Sequence, residues 1–302
     1  MYVVMCGCRI CVCENTKEEG YTMSLHENLK DTGRFLSRMS ASIESKLRVM
    51  QYFPKNCATV LDVGCADGSV TITMARRLPH VEFVGIDLDA AFVALAEERA
   101  AEASVTNVTF RSVYLRDLLA EGQRFDAVTF ISVLHEFYNY GEGMSSVMKA
   151  VADAHELLRS RGVLCIRDMM THERMKEEKF AYWYGWSELY TKIMARWDER
   201  SEQDLIRGFE SRFGLVSVHA LNHLLLKLLY TDNWAHEMQE NYLAVTIEDY
   251  IALVKILGMR LLHAEVSLLP YLRDRWQREY GLTEEELSTL YSTGLLIAKK
   301  QQ

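Results

Sequence analysis

In Ala58-Thr59-Val60-Leu61-Asp62-Val63-Gly64-Cys65-Ala66-Asp67-Gly68-Ser69 a β-branched apolar run breaks at a glycine-rich turn, and a helical pattern follows from Ser69 to Leu78. Glycine between a buried strand and a helix lets backbone N–H groups come close to a ligand, because it carries no Cβ. The turn also discriminates among ligands. A dinucleotide fingerprint needs glycine at its first, third and sixth positions. Counted from Gly64, those positions hold Gly64, Ala66 and Ser69. A P-loop would close on Gly-Lys-Ser/Thr, whereas Asp67-Gly68-Ser69 puts a carboxylate there. A carboxylate repels a triphosphate but accepts a cationic ligand.

The same alternation extends on either side of the turn. Val81 to Asp87 reads as a second strand, and the Ala- and Glu-rich segment from Ala90 to Ala103 as a helix. Val108-Thr109-Phe110 starts a third strand, Phe125 to Ile131 forms a fourth and Gly162 to Arg167 a fifth, with a helix from Met144 to Leu158. Strands separated by helices of this length predict βαβ units and a mostly parallel sheet covered on both faces. Thr246-Ile247-Glu248-Asp249 reads as an N-cap and an acidic first turn, and that helix stops at Gly258. Met259 to Val266 and Thr293 to Lys299 give strands six and seven, joined by a charged connector from Leu272 to Tyr291 without a long helix pattern.

At this point the sequence resembles the class I S-adenosylmethionine-dependent methyltransferases. Their first motif has an acid, a glycine two residues on and a later glycine; Asp62, Gly64 and Gly68 match, with Ala66 where the family often has another glycine. Asp87, about twenty residues on, matches the acid that binds the ribose hydroxyls. Gly162 fits the turn into the fifth strand. The resemblance covers about Arg48 to Arg167 and the last two strands. It implies a doubly wound, Rossmann-like α/β fold with a seven-stranded sheet. It also implies that S-adenosyl-L-methionine is held by Asp62, Gly64, Cys65, Ala66, Gly68, Asp87, Leu88, Val113, Tyr114 and Ser132. One position departs from the family: Tyr114 stands where an Asp usually meets the adenine, and Asp117 lies three residues further on. A backbone N–H around Val113 or Tyr114 is the substitute expected here.

Ligands of open α/β sheets sit beyond the carboxyl ends of the strands. His135, Glu136 and Tyr138 follow strand four, and Arg167 and Asp168 end strand five. Methyl transfer needs an acceptor held in line, deprotonated where necessary and kept dry. A histidine suits removal of a proton from a hydroxyl, phenol or amine, so His135 is the expected base. The alternative is a histidine packed at the strand–helix junction. Glu136, Tyr138, Arg167 and Asp168 are the expected acceptor contacts.

Four expected units follow: an N-terminal extension and helical cap (1–56), the cofactor-binding core (57–170), a helical insertion (171–245) and the rest of the core (246–302). The insertion carries no convincing strand, and Leu221 to Leu229 reads as a buried helix. Within it, Trp183 and Trp186 are placed to wall the acceptor pocket, or else to form helix core or a homodimer contact. His236 and Glu240, with Trp234, Glu237 and Tyr242, form a mixed cluster read as an acid–base or metal pair or as a solvated helix face. Cys6, Cys8, Cys11 and Cys13 are thiolates of the kind that hold zinc or an iron–sulfur cluster. Crowding four of them into eight residues makes tetrahedral wrapping awkward, so a thiol-rich N-terminus without metal is the reading.

Bulk properties narrow the partner. The 302 residues carry a net charge of −8, with 49% hydrophobic and 25% charged residues. That suits a globular protein with a substantial core and disfavours nucleic acid. The seven cysteines are an odd number, two of them fall in expected core elements, and no apolar stretch is long enough to span a membrane. A reduced, cytoplasmic setting without a membrane anchor is expected. The expected activity is methyl transfer to a small-molecule acceptor at oxygen, nitrogen or carbon. An RNA or DNA methyltransferase and a non-catalytic S-adenosylmethionine-binding or regulatory protein are the alternatives.

Overall fold

The structure is a computed structural model, described for residues 43–176, 180–182, 215–233, 237 and 239–302. Its centre is a seven-stranded sheet in the order β3-β2-β1-β4-β5-β9-β8. The strands are β1 Thr59–Val63, β2 Glu82–Asp87, β3 Val108–Ser112, β4 Phe125–Ile131, β5 Leu158–Asp168, β8 Arg260–Ser267 and β9 Thr293–Lys299. β1 to β5 pair in parallel, while β9 runs antiparallel to both β5 and β8. The order reverses between β1 and β4, which opens a crevice at their carboxyl ends, where such sheets bind ligands.

The helices are α1 Ile43–Leu47, α2 Ser69–Arg77, α3 Ala90–Glu102, α4 Leu115–Ala120, α5 Leu134–Tyr140, α6 Met144–Leu157, α7 Val218–Lys227, α8 Ile247–Ile256, α9 Pro270–Tyr280 and α10 Glu284–Leu287. Alternation along the strands sends side chains to opposite faces. Val60, Ile131, Val163 and Cys165 pack with Leu47 of α1 and Met74 of α2. Leu61, Val63, Val128, Leu164 and Ile166 pack instead with Val147 and Val151 of α6 and Leu253 and Val254 of α8. A buried Leu or Val of this kind contributes about 1.5–3 kcal/mol, so the two layers together fix the strand order. Thr246 caps α8, its hydroxyl accepting from the Asp249 N–H while the Asp249 carboxylate accepts from the Thr246 N–H. That is the N-terminus expected from the sequence.

Two expectations change. The connector between β8 and β9 is helical: α9 begins with Pro270 at its first turn and buries Leu272 and Trp276 in a second core with α7. The region between β5 and β8, expected to lack strands, contains the short antiparallel pair β6 Phe180–Tyr182 and β7 Leu215–Ser217. The buried helix expected near Leu221 is α7. No helix among the described residues is long and apolar enough to cross a membrane. Cys57, Cys65 and Cys165 are free and buried. Cys6, Cys8, Cys11, Cys13, Trp183, Trp186, Trp234 and His236 lie outside the described residues.

Candidate functional site

The turn between β1 and α2 is built from inside the protein. Asp62 is buried, its carboxylate accepting from Thr71 Oγ1 at 2.5 Å and Thr129 Oγ1 at 2.7 Å. Burial pushes its pKa up. The N–H groups of Gly64 and Cys65 donate to the Ile86 carbonyl at 2.8 and 3.0 Å, tying the turn to β2. Gly64, Ala66 and Gly68 all have positive φ, at 70°, 45° and 72°. A Cβ on Gly64 would lie 2.3 Å from Val133 Cγ2, and one on Gly68 would lie 2.8 Å from both Ala96 and Phe110. The two glycines are therefore required by the turn's own packing. Gly64, expected to leave ligand space, spends its missing Cβ on Val133. Cys65 is buried, and burial holds its thiol well above the ordinary range.

Asp87 ends β2 beside this turn. Its Oδ2 accepts from the Ala66 N–H at 2.9 Å and its Oδ1 from the Asp89 N–H at 3.0 Å. Burial raises its pKa against those two bonds. Each oxygen keeps a second lone pair, enough to take a ribose hydroxyl. Next to it Leu88 is 52% exposed and Tyr114 39% exposed, an apolar ledge at the ends of β2 and β3. The Tyr114 N–H donates to Asp117 Oδ2 at 2.8 Å, so that amide is not free for an adenine. Of the two backbone groups expected to serve, the one at Val113 remains. A half-exposed acid, a flat apolar ledge and a turn with close backbone approach fit a nucleoside whose sugar meets the acid.

His135 opens α5 at the end of β4 and is locked to Asp168. Its Nδ1–H donates to Asp168 Oδ1 at 2.8 Å, and its backbone N–H donates to Asp168 Oδ2 at 3.1 Å. Burial works against the imidazolium, but Asp168, Glu136 and Glu240 outweigh it and hold His135 up at about 9. Asp168 is pulled low: burial would raise it, but the imidazolium and the N–H groups of Met169 and His135 prevail. Glu136 is pushed up to about 8 by burial, opposed by His135 and reinforced by Glu240, Asp87 and Asp168. Tyr138 is half-buried against the main core.

Sequence reasoning named Glu237, Glu240 and Tyr242 as a cluster but missed Asn139, Tyr140 and Lys227 and the packing of that cluster beneath His135. Tyr140 Oη donates to Glu240 Oε1 at 2.6 Å, and Asn139 pairs with the backbone of Asn241 in both directions. Tyr242 sets its ring edge-on to His135, with centroids 5.9 Å apart. Lys227 Nζ lies 4.3 Å from the Tyr242 ring centroid and donates to the Glu237 and Glu240 carbonyls. Burial lowers its pKa to about 8, although Glu240 and Glu237 work to raise it. Glu237 and Glu240 are 5% and 7% exposed, which overturns the solvated-face reading for both.

Arg167 is a second correction. It neighbours Asp168 on β5 and therefore points to the opposite face, away from His135. Its Nη1 donates to Ser132 Oγ at 2.8 Å and its Nη2 to Ser45 Oγ at 3.4 Å. Ser132 itself is strained, with φ of 60°, and its N–H donates to the Arg167 carbonyl. On this face a small pocket, with a free interior of about 20 Å³, is lined by Lys46, Asp62, Gly64, Cys65, Asp67, Ser69, Val70 and Ile131.

A family model described as a methyltransferase domain matches residues 54–238, more than half of the chain. The ubiquinone biosynthesis O-methyltransferase of Hahella chejuensis is 41% identical over 76 residues, covering 25% of this chain and 31% of the relative. The tRNA (guanine-N(7)-)-methyltransferase of Pseudoalteromonas translucida is 29% identical over 108 residues, 32% of this chain and 45% of the relative. The chain spans between 22% and 52% of the length of the first curated relatives it matches. Among solved structures, the [4+2]-cyclase SpnF superimposes with a TM-score of 0.53 at 16% identity, over 87% of this chain and 82% of that one. An O-methyltransferase family protein from Burkholderia thailandensis gives 0.51 at 14% identity, over 90% and 61%. At these identities the structures speak for the fold alone.

Proposed function

The chain belongs to the methyltransferase domain family; on that premise we propose that it takes its methyl group from S-adenosylmethionine and passes it to a small molecule, at oxygen, nitrogen or carbon. When bound, the sulfonium supplies an electrophilic methyl group. Asp87 would hold the ribose hydroxyls, Leu88, Val113 and Tyr114 would carry the adenine, and the Gly64–Gly68 turn would receive the amino-acid arm.

His135 is the base in this reading. With Nδ1–H committed to Asp168, Nε2 is the atom that takes the acceptor's proton, and Asp168 stabilises the imidazolium that forms. The dyad is the observation that carries the proposal. It is anchored twice at the start of α5, and Val133, just before that helix, packs against Gly64 of the turn. A base held at about 9 is neutral in only about one molecule in a hundred at pH 7. When neutral, it is stronger than an ordinary imidazole and better matched to a phenol or ammonium proton. Glu136 and Tyr138 flank it as acceptor contacts, and Tyr242 closes its edge.

The net charge of −8 favours a small acceptor over a polyanion. The Hahella relative, named for ubiquinone biosynthesis, also supports that class. Incubation with methyl-labelled S-adenosylmethionine and a fractionated small-molecule extract tests it. Label is expected in a low-molecular-weight product; label appearing only in RNA or protein would overturn the assignment.

A further inference from the structure

His135 stands at the corner where β4 turns into α5, and two adjacent residues of β5 hold that corner from its two faces. Asp168 takes the histidine itself, accepting from Nδ1–H at 2.8 Å and from the backbone N–H at 3.1 Å. Arg167 takes the residue at which the chain turns. Its Nη1 donates to Ser132 Oγ at 2.8 Å, and its carbonyl accepts from the Ser132 N–H at 2.7 Å. Ser132 is thus gripped by the side chain and the backbone of one residue.

The turn is one that serine resists. At a φ of 60° Ser132 lies in the left-handed region, which a residue carrying a Cβ enters rarely and at a cost. Glycine would enter it freely, so what serine adds here is its hydroxyl, and Arg167 is the donor that uses it. The guanidinium is costly too. It is 6% exposed, and burial depresses its pKa, with the Asp168 carboxylate the first cause acting the other way. Its Nη2 reaches Ser45 Oγ only at 3.4 Å, and its Nε–H is buried without a hydrogen-bond partner. The bond to Ser132 is the shorter of the two this buried cation makes. A strained serine and a poorly satisfied guanidinium, each unfavourable by itself, are joined three residues before the base. Everything between is then placed: Val133 lies against Gly64, and α5 starts at Leu134.

We propose that Arg167 is a positioning residue for the base: through Ser132 it fixes the exit of β4, and with it the alignment of His135 on Asp168. This rests on the reading of His135 as the base. It takes Arg167 from the acceptor to the scaffold, and it gives the end of β5 a part in catalysis on both faces.

The test is an NMR titration of the His135 ring in full-length protein labelled at its nine histidines, with His135→Gln identifying the signal. The wild-type midpoint is expected near 9, held up by Asp168, Glu136 and Glu240 against burial. Ser132→Ala and Arg167→Met should each lower it by about one pH unit, because a ring drawn off its carboxylate loses the support that raised it. The sign is diagnostic. Loss of the Arg167 charge alone would raise the midpoint, and Ser132→Ala changes no charge. The double variant should shift it no further than either single one, and Arg167→Lys, which keeps a donor, should recover at least half of the shift. Transfer of labelled methyl into the small-molecule extract should fall about tenfold in Ser132→Ala. If Arg167→Met fails to fold, Ser132→Ala breaks the same bond from its smaller side. Variants that unfold earlier but titrate as wild type does overturn the proposal and leave Arg167 a packing residue. His135→Gln transferring label as fast as wild type would remove the base, and the proposal with it. That failure is told apart because the NMR shifts would still be present.

Discussion

The floor of the site and its far wall are built in opposite ways. In the floor, from Asp62 to Gly68, hydroxyls and backbone amides satisfy the polar atoms, and side chains already in contact with the glycines fix the shape. In the wall, His135, Glu136, Tyr140, Lys227, Glu237 and Glu240 crowd together, and the titrations of the first four are displaced from their ordinary values. A preformed floor can bind one invariant ligand without reorganising. A wall of displaced protons costs stability and is kept where protons must be moved or acceptors sorted.

The largest expected effect breaks the floor. Gly64→Val puts a branched side chain at a φ of 70° and into Val133, at a combined cost of about 3–5 kcal/mol. Denaturant unfolding is expected to show that loss. A variant as stable as wild type would mean that the turn is not rigid.

In the wall, His135→Ala is expected to lower kcat by about 10³-fold while cofactor affinity changes less than threefold. Equal losses in both would place His135 in the floor. The same base gives a pH signature. Because its pKa is raised, kcat/KM should climb about tenfold per pH unit and level off near 9. Asp168→Asn removes the carboxylate that raises it, so the bend should move down toward about 6.5, with a lower plateau. A bend that stays near 9 would assign the titration to another group.

Asp87→Ala should weaken S-adenosylhomocysteine by about 100-fold, the scale of two lost hydrogen bonds to a charged group. Unchanged calorimetric affinity would remove Asp87 from the floor. The smallest effect is in the wall's support. Tyr140→Phe takes a donor from the buried Glu240 carboxylate, costing about 1–2 kcal/mol of stability. No change in the unfolding midpoint would show that solvent already serves Glu240.

The floor was legible in the sequence, whereas the wall was legible only as separate candidates (His135 and Glu136, Glu237 and Glu240) and not as one assembly, for physical reasons. β1 and β2 are apolar runs that end at Gly64 and Asp87, so the strand ends, the turn and the acid can all be read from local pattern. α9 was missed because its buried residues reduce to Leu272 and Trp276, one turn apart, among Arg273, Asp274, Arg275, Gln277, Arg278 and Glu279. Two apolar positions do not make a stripe. Tyr140 and Glu240 meet across one hundred residues, and the charges of Lys46 and Arg167 act on each other across more than one hundred. Arg167 was placed with Asp168 because the two are neighbours in sequence, but strand alternation separates adjacent side chains. That alternation was available as a signal, since Val163, Leu164, Cys165 and Ile166 already divide between the two cores.

β9 lies between β5 and β8 and runs against both. During synthesis β8 leaves the ribosome first, yet it has no neighbour to pair with until the later strand arrives. The sheet therefore cannot grow strand by strand in the order of translation. β9 completes both pairings, with β5 on one side and with β8, through α9 and α10, on the other. A pause in translation between residues 267 and 293 would leave β5 with a bare edge, open to pairing with another chain.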